Sequence, residues 1–354
     1  MSKPTCYSTK AYSTVSATSP LGAAVIERRV PTASDVQIDI LYCGVCHSDL
    51  HQARNEWSSS VYPMVPGHEI VGTVARVGKA VTKVKAGDVA GVGCMVDSCH
   101  ECDACKRDLE PYCEKGCNWT YNGVERDGRT PTQGGYSERI VVDERFVLTI
   151  AAGQPLDMVA PLLCAGITLY SPLVHWGAEK GRRIGIVGLG GLGHMGVKLA
   201  AAMGAEVTVL SSSPSKKADA LRFGAHDFVL TSDEAPLEKH RRRFDLIIDT
   251  ASAHHTLATY LRLLRTDGAM VLVGVPERPA ELNAADLIGN RLSIAGSLIG
   301  GIAETQRMLD FCAARGITSD IEVIPIQEIE RAYERMLRGD IRYRFVIDME
   351  SLAR

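Results

Sequence analysis

Arg183-Ile184-Gly185-Ile186-Val187-Gly188-Leu189-Gly190-Gly191-Leu192-Gly193 is the stretch whose reading decides the fold. Its first five residues form a short apolar run of the kind that fills a buried strand. The next six fit G-x-G-x-x-G, and Gly191 to Met203 reads as a helix with small residues on one face. Gly188 permits a tight turn, Gly190 lets backbone approach a pyrophosphate, and Gly193 lets the helix pack on the strand. Leu189, Gly191 and Leu192 complete a cradle at a helix N-terminus, where phosphates are favoured. The motif alone is common. A buried strand before it and a helix after it make it a dinucleotide fingerprint.

Outward from this turn the same texture continues. Glu206-Val207-Thr208-Val209-Leu210 is the next strand, and Phe244 to Asp249 and Ala269 to Val273 are later ones. Strands separated by helical segments imply a parallel, doubly wound sheet. The end of the second strand decides which dinucleotide. An NAD site places Asp or Glu there for the ribose hydroxyls. This chain has Ser211-Ser212-Ser213-Pro214-Ser215-Lys216-Lys217, and Glu206 lies at the strand's leading end. A carboxylate would repel a 2′-phosphate, whereas Ser211, Ser212, Ser213 and Lys216 would bind one through charge-assisted hydrogen bonds. The turn selects NADP.

Before about residue 155 the texture is different. Val36 to Leu41 and Ile70 to Val77 alternate or run apolar between Gly and Pro turns, as in an all-β barrel or sandwich with irregular loops. After Gly300 a helix, Ala303 to Arg315, and a last strand, Tyr343 to Asp348, close the chain. At 354 residues, with 45% hydrophobic and 23% charged residues, there is material for two cores. The net charge of −3 gives no electrostatic reason to expect nucleic acid or an anionic membrane as partner. Ile184 to Ala205 is the most apolar stretch, but glycines, His194 and Lys198 interrupt it, so no membrane span is expected. Met1 to Pro20 is rich in Ser and Thr and lacks the apolar core of a secretory signal. Eleven cysteines, an odd count in a chain of this length, fit metal binding in a reducing cytoplasm better than a disulfide scaffold.

Four of those cysteines, Cys99, Cys102, Cys105 and Cys113, have the spacing C-x2-C-x2-C-x7-C. Thiolates two residues apart wrap one tetrahedral zinc ion on a short loop. Ferredoxin runs also begin this way but continue with x3 and Cys-Pro, whereas here seven residues intervene and Glu114 follows Cys113. A closed four-thiolate site has a structural role only. Cys46 in Gly44-Val45-Cys46-His47-Ser48-Asp49, His68-Glu69 after Gly67, and Cys164 in Leu163-Cys164-Ala165-Gly166 are a second, dispersed set. Nothing in their spacing connects them, and each alone fits an ordinary buried residue.

Resemblance connects them. The Gly-x-Cys-His-Ser-Asp segment, Gly67-His68-Glu69, the four-cysteine loop and the glycine fingerprint occur in the order found in zinc-dependent medium-chain alcohol dehydrogenases, and the chain resembles that family over nearly its whole length. Pro131-Thr132-Gln133-Gly134-Gly135-Tyr136, Ala160 to Gly166 and Tyr343-Arg344-Phe345-Val346 look like its cinnamyl alcohol dehydrogenase branch and the bacterial NADP-dependent aldehyde reductases. The resemblance implies a GroES-like β-rich catalytic domain over 1–157 and 300–354, a Rossmann domain over 158–299, and a homodimer formed through cofactor-domain edge strands.

It also implies residue roles. Cys46, His68 and Cys164 would hold a catalytic zinc with an open position, and Glu69 would be a carboxylate that takes the place of water in some states. Asp49 would orient His68. Ser48 and His51 would relay a proton, with Ser48 also touching the cofactor. Thr168, Thr250, Gly274, Ser297, Leu298 and Ile299 would be further cofactor contacts. Trp57, Cys94, Trp119, Leu298 and Ile299 would line an apolar substrate slot. Leu298, where lignin enzymes carry a bulky aromatic, and the Glu56-Trp57-Ser58-Ser59-Ser60 loop both depart from the plant pattern and point away from monolignols. The expected activity is hydride transfer between NADP(H) and a primary alcohol/aldehyde pair, chiefly reduction of aromatic and medium aliphatic aldehydes. A polyol or secondary alcohol dehydrogenase and a non-catalytic zinc-containing NADPH sensor are the alternatives. His240 to Arg243 and His254-His255 read as solvated surface, and Cys6, Cys43, Cys94, Cys117 and Cys312 as thiols outside both metal sets.

Overall fold

The structure, a computed structural model, describes residues 6–276 and 278–353. It divides into two compact units, Met1–Cys164 with Gly300–Arg354, and Ala165–Ile299. The resemblance puts the first boundary at 157/158. The observed division falls later because Leu156–Val159 and Ala160–Leu163 pack against the strand Asp35–Val45. Val159, Leu162 and Leu163 are buried there, which fixes the backbone just before Cys164.

In the first unit the long strand Asp35–Val45 organises a seven-stranded sheet. It pairs antiparallel with Ile70–Val77 along one edge. Along the other edge it pairs first with Arg139–Asp143 and then with Arg344–Asp348. The last strand of the chain thus lies beside Cys43, Gly44 and Val45, immediately before Cys46. Ile70–Val77 also carries Val89–Val92, so the two apolar runs that the sequence marks as strands become neighbours in mid-sheet. The hairpin Cys6–Ser13 with Gly22–Arg29 forms a separate two-stranded ribbon.

The second unit is a six-stranded, all-parallel sheet. Its order is Asp227–Leu230, Glu206–Ser211, Arg183–Val187, Phe244–Asp249, Leu264–Leu272, Ser293–Gly296. The helix Gly193–Ala202 follows the glycine turn, beginning two residues later than its sequence pattern suggests because Gly191 and Leu192 belong to the turn. A parallel sheet needs cover on both faces, and the central strands are accordingly buried from Ile184 to Val187 and from Phe244 to Asp249. The strand order reverses on either side of Arg183–Val187. Ligands of such sheets bind at that reversal, outside the carboxyl ends of the strands, and Gly188 stands there. Among the described residues no single helix is long and apolar enough to cross a membrane.

Candidate metal centres and dinucleotide site

The loop after Met95–Asp97 gathers Cys99, Cys102, Cys105 and Cys113, whose sulfurs lie within 4.8 Å of one another. Local backbone geometry explains the convergence. Cys102 caps the short helix Asp103–Lys106 and its sulfur accepts from the Cys105 amide at 3.5 Å. The Cys99 sulfur accepts from the Cys102 amide at 3.3 Å, and that of Cys113 from the Cys99 amide at 3.4 Å. Backbone N–H groups aimed at sulfur stabilise thiolate, the form that ligates metal. Cys117 packs against this cluster, but its sulfur faces the Met95 sulfur and the Asp97 carbonyl, both at 3.5 Å. Burial pushes its thiol up to about 12.

The dispersed set also converges. Ligand atoms of Cys46, His68, Glu69 and Cys164 lie within 4.8 Å of one another, and all four residues are buried. The Cys46 and Cys164 sulfurs are 3.9 Å apart. The Cys164 thiol, and then Arg344, hold Cys46 well below the ordinary thiol range, while the same contact raises Cys164. Two sulfurs, an imidazole and a carboxylate form a donor set that suits zinc. Glu69 Oε2 is buried with no hydrogen-bond partner among the described residues, an orphan that a cation would satisfy.

Asp49 holds the set together. It lies in the first turn of the helix His47–Ala53 and is fully buried. Its Oδ1 accepts from the Gly67 amide and from His68 Nδ1, both at 3.0 Å. Its Oδ2 accepts from the Cys46 amide at 2.9 Å and from the Tyr136 hydroxyl at 3.4 Å. One carboxylate therefore fixes the backbone at Cys46 and just before His68, and the tautomer of His68 itself, leaving its Nε2 for a metal. Tyr121 stacks on the His68 ring at 5.8 Å between centroids.

Sequence reasoning missed Arg344, Tyr121, Tyr136 and Gly44. Arg344, buried at the head of the last strand, pairs with Glu69 Oε1. Burial pushes the Glu69 carboxyl up to about 7, with Arg344 pulling the other way. A β-carbon on Gly44 would collide with the Glu69 carboxylate, so glycine is required two residues before Cys46. The only sequence signal for the ion pair is one charge at the edge of each of two apolar runs, His68-Glu69-Ile70-Val71 and Arg344-Phe345-Val346-Ile347.

Around this set the Ser48 hydroxyl lies 3.7 Å from the Cys46 sulfur. His51 is half-buried, pairs through Nδ1 with Glu56 and lies against Trp57, ring centroids 5.2 Å apart. Cys94 is half-buried with its sulfur 3.7 Å from the Leu163 carbonyl oxygen. Trp119, paired in register with Met95, is exposed, as is Trp57. These five residues belong to the first unit, whereas Leu298, exposed, and Ile299, buried, belong to the second.

In the second unit the glycine turn is tight. A β-carbon on Gly193 would strike the Gly188 carbonyl, which is why helix and strand approach only through glycine here. Thr250 donates to the Val187 carbonyl at 2.7 Å, and a β-carbon on Gly274 would lie 2.5 Å from the Ala251 carbonyl oxygen. Thr168 is buried in the helix Ala165–His175, and the Ser297 amide donates to the Leu272 carbonyl at 3.2 Å. At the end of the second strand Ser211 is buried, its hydroxyl accepts from the Ser213 amide at 3.2 Å, and Pro214–Lys216 forms one helical turn. Ser212 is exposed there. No carboxylate occurs from 211 to 217, and Glu206 is engaged by Arg243 at the opposite end of the strand. The turn therefore fits a 2′-phosphorylated dinucleotide. Two surface expectations change: His255 is half-buried and paired with Asp249, and His240 is half-buried with its Nε2 3.0 Å from Asp227 Oδ2.

Two family profiles match the chain. The alcohol dehydrogenase GroES-like domain covers residues 32–152 and the zinc-binding dehydrogenase domain covers residues 191–314. The chain is 56% identical to the NADP-dependent alcohol dehydrogenase C of Mycobacterium bovis, over 97% of this chain and 99% of that protein. It is 53% identical to the aldehyde reductase YahK of Escherichia coli, over 97% and 99%. Among solved structures it is similar to a cinnamyl alcohol dehydrogenase from Sorghum bicolor, with a TM-score of 0.95, 45% identity and coverage of 97% and 98%. The chain belongs to the zinc-dependent medium-chain alcohol dehydrogenases, in the cinnamyl alcohol dehydrogenase-like branch. Its two units are accordingly a GroES-like domain and a Rossmann domain. It is an oxidoreductase of alcohols and aldehydes that works with zinc and NADP(H).

Proposed function

We propose that this dehydrogenase works chiefly as an NADPH-dependent reductase of aromatic and medium aliphatic aldehydes, with its chemistry at Cys46, His68 and Cys164. The observation that carries the proposal is the convergence of those three buried ligands with Glu69 around one point, each fixed by a fold-wide partner. Zinc held there supplies Lewis acidity to a carbonyl oxygen, and NADPH supplies the hydride. The residues of the chain do the rest. Asp49 keeps His68 in the tautomer that presents Nε2. Glu69, anchored by Arg344 and carrying one unpartnered oxygen, would be the carboxylate that takes the place of water on that zinc in some states. Ser48, beside Cys46, passes a proton toward His51, whose pairing with Glu56 keeps the imidazole at the domain surface.

Cys99, Cys102, Cys105 and Cys113 hold a second zinc that closes the loop and takes no part in the chemistry. Gly188 to Gly193 hold the pyrophosphate, and Ser211, Ser212, Ser213 and Lys216 hold the 2′-phosphate. Trp57, Cys94 and Trp119 supply the apolar lining on the first unit, which favours a ring or alkyl chain over a polyol. The strand Ser293–Gly296 ends its sheet with one edge unpaired among the described residues, which supports a homodimer joined through it. The odd count of eleven cysteines supports a reducing, cytoplasmic setting.

The test is zinc-replete protein with NADPH and benzaldehyde, hexanal or cinnamaldehyde, followed by loss of the reduced-nicotinamide absorbance. Turnover with all three, and a strong preference over NADH, is the expected result. No turnover with any aldehyde would sink the reductase reading, and equal efficiency with NADH would sink the serine-turn assignment.

A further inference from the structure

The loop 250–256, which follows the strand Phe244–Asp249, is bracketed by a single buried carboxylate. Asp249 Oδ1 accepts from the Ala251 amide at 3.1 Å, and Oδ2 lies 2.8 Å from His255 Nε2. The other ring nitrogen of His255, Nδ1, lies 2.9 Å from the Ala253 carbonyl oxygen. Both nitrogens thus face acceptors. A neutral imidazole has one N–H and satisfies one of them; only imidazolium satisfies both. The hydrogen bond to Asp249 correspondingly raises the His255 pKa above its ordinary value.

The bracketed loop forms a wall of the glycine turn. The Thr250 hydroxyl is tied to the Val187 carbonyl and stands 3.1 Å from where a β-carbon on Gly188 would be. The Ala251 carbonyl fills the space a side chain at Gly274 would need. A shallow cavity lined by Asp249, Ala251, His254, His255, Gly274 and Arg278 opens beside the clamp, so the ring can exchange protons with water.

We propose that His255 and Asp249 form a protonation-dependent clamp that positions the 250–256 loop against the glycine turn, so that affinity for NADP(H) weakens when His255 is neutral. His255 is a positioning residue: it acts through Thr250 and Ala251. The proposal rests on the assignment of Gly188 to Gly193 as the dinucleotide turn. Among the described residues Tyr260 packs on the ring, and His254 and Arg278 line the same cavity. Tyr260, edge-on at 5.3 Å between centroids in the helix Leu257–Leu261, ionises above its ordinary value because it is buried. His254, exposed in the same loop, is the other histidine that lines this cavity. His255 gains its partner in the folded state, so the clamp is intact at low pH and is lost as pH rises through its raised pKa.

The test is NADPH binding to the zinc-loaded full chain at fixed salt, from about pH 6.5 to about pH 9, which brackets a raised histidine but not lysine. Wild type, His255→Asn, His255→Ala and His254→Asn are compared by fluorescence titration. The expected result is a wild-type Kd that rises roughly tenfold across the range, a coupling of ordinary size. His255→Asn, which keeps a neutral donor, gives an intermediate Kd that does not vary with pH, and His254→Asn keeps the wild-type profile. A flat wild-type profile, or an equally steep one in His255→Asn, would overturn the clamp while leaving the dinucleotide site standing. No NADPH binding at any pH would overturn both. Should His255→Ala fail to fold, His255→Asn carries the comparison.

Discussion

The two clusters of metal-ligating side chains are built in opposite ways. The four-thiol loop takes all its ligands from Cys99 to Cys113 and points its own amides at the sulfurs. The Cys46–His68–Glu69–Cys164 set draws its ligands from three places in the chain, and each is held by something outside the set. Asp49 holds His68 and the Cys46 backbone, Arg344 holds Glu69, and the packing of Ala160–Leu163 holds Cys164. A local chelate depends on spacing; a dispersed site depends on the fold. The first can close four-coordinate with no room for chemistry. The second is positioned by a scaffold that sets an imidazole and a carboxylate beside two sulfurs.

The largest expected effect is on the dispersed site. His68→Ala should lower kcat/KM by about a thousandfold or more in the protein that remains folded, since a ligand of the Lewis-acid centre is lost. Steady-state kinetics beside a thermal melt decides this, and retention of a tenth of wild-type activity would remove His68 from the site. Next comes Arg344→Met, which leaves Glu69 buried without its partner and should cost about 3–5 kcal/mol of stability. Denaturant unfolding measures it; a loss below about 1 kcal/mol would mean the pair is solvated or dispensable.

Cys102→Ser sharpens the contrast from the other side. It should lower the melting temperature and speed proteolysis between residues 95 and 117, yet the folded fraction should keep most of its kcat. A folded but inactive Cys102→Ser would contradict a purely structural loop. The smallest effect belongs to Gly44→Ala, whose methyl must displace the Glu69 carboxylate, for roughly 1–3 kcal/mol. Here the double variant with Glu69→Ala is informative: it should recover part of the loss, and strict additivity would show that the two do not collide.

The same contrast sets what is legible in the sequence. The glycine turn, the parallel strands Arg183–Val187, Glu206–Ser211 and Phe244–Asp249, and the four-thiol loop are all local patterns, and each can be read from spacing and periodicity. The strand Asp35–Val45 is visible only in its middle, Val36 to Leu41. Its extension to Val45 depends on pairing with Arg344–Asp348, some three hundred residues away. For the dispersed site, resemblance supplies the ligands, but Arg344, Tyr121 and Tyr136 carry no periodic signal. Arg344 is a single charge on an otherwise apolar run, and the two tyrosines lie outside any apolar run. His255 escaped for a related reason, since two adjacent histidines after a strand look solvated until one of them meets a buried carboxylate.

Zinc content tests the account most directly. Metal analysis of purified wild type, Cys46→Ser and Cys102→Ser, each with its aldehyde-reductase rate per folded molecule, should give about two, one and one zinc per chain, with activity lost in Cys46→Ser alone. Two zinc ions retained in Cys46→Ser, or activity lost equally in both variants, would contradict the division of labour between the two centres.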